Sequence, residues 1–149
     1  MFSQDRDALR QTYLTAWRKA RAGEPLEPVE RQIVEVAEQH PEYHRLLEQG
    51  ETALGREWLP AGGEGNPFLH MALHIALQEQ VGTDRPPGIR RLYQGMIESC
   101  LGDVHAAEHR ILECLAEAIW KVQRDGRAFR SKAYLKCIKR RGAGQRPRD

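Results

Sequence analysis

The amino-acid sequence predicts an all-α protein, a single-domain bundle of about five to six helices. Three observations lead there. Apolar residues recur at three- and four-residue spacing through most of the chain, no segment alternates with the two-residue period of a strand, and helix-starting and helix-stopping residues punctuate the periodic stretches.

Each element follows from those signals. Ser3 is placed to cap a first helix reaching about Ala22, with Leu9, Tyr13, Leu14 and Trp17 on one side, and Gly23-Glu24-Pro25 stops it. Pro28 suits the first turn of a second helix, where its missing N–H costs nothing. The apolar stripe of that helix is Ile33, Val36 and Ala37, followed one turn on by His40. Pro41 breaks or restarts the helix, and Tyr43, Leu46 and Leu47 mark a short third segment. Gly55 to Gly65, with Pro60 and Gly62-Gly63, is expected to be the longest and most flexible loop.

Asn66-Pro67 then predicts a cap and first turn for a helix to about Val81. A turn at 82–87 leads to a helix from about Pro87 to Leu101. Asp103 caps a long helix from Val104 to about Arg124, which Gly126 ends. Residues 1–126 are therefore expected to form the bundle. Residues 127–149 form a basic C-terminal extension, helical over about 129–140 and disordered from Arg141.

The bulk numbers narrow the class. With 149 residues, 40% hydrophobic and 30% charged, the chain is one domain long enough to bury a core. No apolar run approaches the ~20 residues that span a bilayer, so no membrane segment is expected, and the N-terminus lacks a secretory pattern. The three cysteines, Cys100, Cys114 and Cys137, are odd in number and far apart. That predicts reduced thiols and a cytoplasmic protein, with neither a disulfide framework nor a cysteine-rich zinc site. Charge is uneven: residues 127–149 hold nine Lys or Arg against one acid, giving +8, and a total of +2 leaves −6 on the rest.

All six histidines fall in pairs four residues apart: His40/His44, His70/His74 and His105/His109. On a helix such a pair shares one side, ~40° apart around the axis. Residues 68–77 are apolar all round except at His70 and His74, which predicts a buried helix and neutral imidazoles with a lone pair to offer. On the 104–124 helix, Val104, Ile111, Leu112, Leu115, Ile119 and Val122 define the apolar face. Glu108 sits in its middle, with His105 and His109 on its flank. A carboxylate there needs a cation, a proton or strong donors.

If the three helices run up, down and up through short turns, both pairs lie level near the same end. The expectation is one divalent transition-metal ion (zinc, iron, nickel or manganese) held by His70, His74, His105 and His109, with Glu108 as ligand or catalytic base. A buried polar network of histidines that fixes packing gives the same spacing without a metal. His105-Ala-Ala-Glu-His109 also matches a zinc-protease pattern, and His109 with Glu113 matches a di-iron spacing; both patterns are short and discriminate poorly. Because Pro41 interrupts the His40/His44 pair, capping of the helix end is favoured over ligation for those two.

Several stretches resemble an uncharacterised proteobacterial helical family, a domain of unknown function numbered 1841. They are His40-Pro41-Glu42-Tyr43-His44, Asn66 through His74 to Gln80, Asp84-Arg85-Pro86, and Gly102 through His109 to Glu117. The resemblance covers most of residues 1–125 and implies a small helical protein. It brings no activity and no catalytic assignment.

In the basic extension, Arg127, Arg130, Lys132, Lys136, Lys139, Arg140 and Arg141 interleave with Phe129, Tyr134 and Leu135. The cations suit phosphates or an acidic partner, and the aromatics suit stacking on bases, so nucleic acid or ribosome contact is one expectation. A solvated tail is the plainer one. The functional readings are thus a metal-binding bundle, enzymatic if a coordination position is open, and a non-enzymatic adaptor working through its basic tail.

Overall fold

The computed structural model describes the backbone of residues 2–54 and 65–143, and side chains over 7–50, 52–54 and 65–142. Most of the Gly55–Gly65 loop, and the tail beyond 143, lie outside the described residues. Within them the protein is all-helical, with seven α-helices rather than the five to six expected: α1 (Phe2–Arg21), α2 (Pro28–Glu38), α3 (His44–Glu48), α4 (Pro67–Thr83), α5 (Ile89–Ser99), α6 (Val104–Asp125) and α7 (Ser131–Ala143). α7 is the helix expected within the basic extension, and the short α3 is the segment expected from Tyr43, Leu46 and Leu47. Single-turn 3₁₀ segments at Pro41–Tyr43 and Gly50–Ala53 flank it.

The chain divides into two compact units, 1–75 and 76–149, and the division falls inside α4. In the first unit, α1 packs on α2 and α3. Its core joins Tyr13, Leu14 and Trp17 of α1 to Ile33, Val34, Val36 and Ala37 of α2, Leu46 and Leu47 of α3, and Phe68 and Met71 of α4. The Arg10 side chain is 2% exposed. It donates to the Leu54 carbonyl at 2.8 Å and lies 5.1 Å from the centre of the Phe68 ring. In the second unit α5, α6 and α7 pack pairwise, burying Ile89, Met96, Ile111, Leu112, Leu115, Tyr134 and Ile138.

The capping signals hold in detail. Asn66 Oδ1 accepts from the amides of Phe68 at 3.0 Å and Leu69 at 3.3 Å, and Asp103 Oδ1 accepts from Ala106 at 3.0 Å. Gly126 takes a left-handed φ of 66°, which ends α6 at no steric cost. Ser3 is not a cap: α1 is already helical at Phe2.

Two further expectations need correction. The uniformly apolar α4 is not buried all round, because Leu69 is 56% exposed while Met71, His74 and Leu77 are fully buried. The thiols are not all reduced: Cys114 and Cys137 form a disulfide, leaving Cys100 as the free cysteine. Its partners lie on separate helices, so their 23-residue separation in sequence carried no pairing signal.

Candidate metal centre

In the first unit the site grows from the end of α2. His40 continues the stripe of Val36 and Ala37 and is 1% exposed. Its Nδ1 lies 2.8 Å from the Val36 carbonyl oxygen. A carbonyl only accepts, so Nδ1 carries the proton, and the Nε2 of the neutral ring keeps its lone pair. That Nε2 lies 3.2 Å from His70 Nε2, which in turn lies 3.2 Å from His74 Nε2. The ring centres are 4.8–4.9 Å apart, and the rings meet edge to face. His74 is fully buried, and His70, one turn before it, is half-buried.

Three imidazole nitrogens thus lie within ligand-to-ligand reach of one another through His70. The spacing fits: metal–nitrogen bonds of about 2.0–2.1 Å at a tetrahedral angle put ligand nitrogens roughly 3.3 Å apart. The bond from His40 Nδ1 to a backbone carbonyl is the arrangement that fixes a ligating histidine's tautomer and aims its other nitrogen.

At the sequence level Pro41 favoured capping over ligation for His40, and the Nδ1 contact with Val36 is such a cap, while the place of Nε2 beside His70 was not anticipated. The signal was present in the place of His40 on the apolar stripe. His44 fits the capping role as well: its Nε2 donates to the Ala37 carbonyl at 2.8 Å, and its ring lies 4.5 Å from that of Trp17.

In the second unit, His105 and His109 occupy the first two turns of α6, half-buried, with ring centres 4.1 Å apart. Glu108 is 3% exposed, as its place in the apolar face demands. Tyr93 Oη donates to its Oε2 at 2.5 Å, and Gln78 Nε2 donates to its Oε1 at 3.4 Å. Tyr93 is the strong donor that a buried carboxylate needs and Gln78 a longer, weaker one; neither was singled out in the sequence, since no local pattern joins them to Glu108. Burial first, then the hydrogen bond to Glu108 and its charge, push the Tyr93 phenol far above its ordinary range, so it stays a donor. Glu113 is not placed for the di-iron spacing with His109: it is exposed and pairs with Arg141 of α7.

Fold and site together define a small protein, all-helical over the described residues, whose first unit brings three histidines together and whose second holds a buried, hydrogen-bonded carboxylate. The chain belongs to the family described as Domain of unknown function (DUF1841), whose model matches residues 5–140. The match takes in most of α7 and so extends beyond residues 1–125, over which the resemblance was read. No curated protein and no solved structure matches the chain. Among the described residues no helix is long and apolar enough to cross a membrane.

Proposed function

We propose that this protein binds a divalent transition-metal ion, drawn from zinc, iron, nickel and manganese, at the cluster of His40, His70 and His74. The observation that carries the reading is the pair of 3.2 Å Nε2 separations beside a His40 tautomer fixed by the Val36 carbonyl. Neutral imidazole suits all four metals. Three protein nitrogens leave a tetrahedral ion one further position. A water there becomes a nucleophile near neutral pH, whereas a fourth protein ligand makes the site structural. His105, His109 and Glu108 remain proposed partners of the same ion on the strength of the sequence alone, with Glu108 as ligand or base.

Metal analysis of tag-free protein purified without chelator tests the proposal. The parent is expected to carry about one ion per chain. His40→Ala/His74→Ala is expected to lose it, while His44→Ala keeps it. Circular dichroism checks that each variant is helical. Zinc added to chelator-stripped parent should raise its melting temperature, by linkage, and should not do so in the double variant. Equal and negligible metal in parent and variant ends the proposal. His105→Ala/His109→Ala tests the sequence-derived ligands separately: retention of the ion removes them from the set.

A further inference from the structure

The second unit holds a different site. The loop after α6 and the helix α7 close a cleft of about 120 Å³ against α6, with Tyr134 and the Cys114–Cys137 disulfide in its wall and alanines and Val122 lining the rest. Five cations line it, of which Lys121 pairs with the lining acid Glu117 at 3.3 Å. The other lining acid, Asp125, is engaged by Arg124 at 2.8 and 3.1 Å. Arg127, Arg130, Lys136 and Arg140 remain, all exposed, with no acid in ion-pair contact among the described residues. Asp125 is held below its ordinary range by the Arg124 hydrogen bond first, with smaller contributions from the charges of Arg124, Arg130 and Lys121.

We infer that this cleft binds the phosphate backbone of a single-stranded nucleic acid, without reading its bases. Charge complementarity with four unpaired cations selects the anion. Size selects how it binds: pockets that enclose small ligands run to roughly 300–1,000 Å³, so this cleft admits a phosphate and its nearest atoms but no whole nucleotide. A flexible single strand can follow such a cleft, and its neutralised phosphates release counterions. Base stacking on Tyr134, expected from the sequence, is removed by the structure. That ring is 1% exposed, its hydroxyl donates to Gln80 at 2.7 Å, and Phe129 packs edge-on against it.

The test is fluorescence anisotropy of a labelled, mixed-sequence 12-nucleotide RNA with the full chain, in chelator so that metal binding plays no part. Four phosphate contacts predict a slope of log K against log [KCl] of about −3, and each removed cation should lessen it by about 0.7. Arg127→Gln/Arg130→Gln and Lys136→Gln/Arg140→Gln should each weaken binding and halve the slope. Arg31→Gln/Arg91→Gln, which removes two exposed charges elsewhere, should leave the slope unchanged. An unaltered slope in both cleft variants overturns the inference. So does equal competition by poly-aspartate, which marks a site for acidic peptide, or by inorganic phosphate at the same concentration of phosphate groups, which marks a single-phosphate site.

Discussion

Glu108 shows what one residue contributes. A carboxylate in the middle of an apolar stripe announces that something must compensate it, and the sequence carries that much. It does not say what. Tyr93 and Gln78 compensate it through donors contributed by α5 and α4. Tyr93→Phe removes the shorter bond and leaves the carboxylate short of a donor, so it should cost about 1–3 kcal/mol of stability in urea unfolding. Tyr93→Phe placed on Glu108→Gln should cost clearly less. Full additivity of the two would mean that the phenol and the carboxylate do not interact. His40 makes the same point from the other side: its place on the α2 stripe was legible, but the partner of its second nitrogen was not.

At the scale of the element, the helix boundaries rest on caps that act locally and are therefore readable. α2 opens with a capping box in which Glu30 accepts from the Glu27 amide at 2.8 Å, and Lys19 of α1 reaches the same carboxylate at 3.1 Å. The amide bond first, then the Lys19 hydrogen bond, hold the Glu30 carboxyl below its ordinary value of 4.5. Folded-state pKa below unfolded means a contribution that is complete above the unfolded value and fades as pH falls through the folded one. Glu30→Gln should therefore be less stable than the parent at neutral pH, with the gap closing as the pH is lowered from about 4.5 downward; a gap that widened on acidification would refute this. Asp103→Ala removes the α6 cap and should cost about 1 kcal/mol by thermal melting, whereas an unchanged melting temperature would show the cap to be idle.

At the scale of the whole molecule, each unit has its own means of holding together. The first relies on an apolar core drawn from four helices and, on the proposal above, on a metal ion. The second adds a covalent tie between α6 and α7. Closing a loop of this length restricts the unfolded chain by about 3 kcal/mol. Reduction with dithiothreitol, or Cys114→Ser/Cys137→Ser, should lower unfolding stability by roughly that amount, and identical urea midpoints with and without reductant would contradict it. The charge imbalance belongs to this scale as well: residues 127–149 carry +8 and the remainder −6, and the proposed nucleic-acid cleft draws its cations from the positive part.

By itself the sequence determined the helical class, the ends of α2, α4 and α6, the inward place of Glu108 and the pairing of histidines on shared helix faces. All of these depend on residues within a turn or two of one another, where 3.6-residue periodicity and capping chemistry operate. Tertiary structure alone decided that His40 joins His70 and His74, that Tyr93 and Gln78 hold Glu108, that Cys114 meets Cys137, and that Tyr134 faces a core rather than a base. Each of those pairs residues 15 to 54 positions apart, and which distant side chains meet depends on how helices pack, a relation that no local pattern encodes.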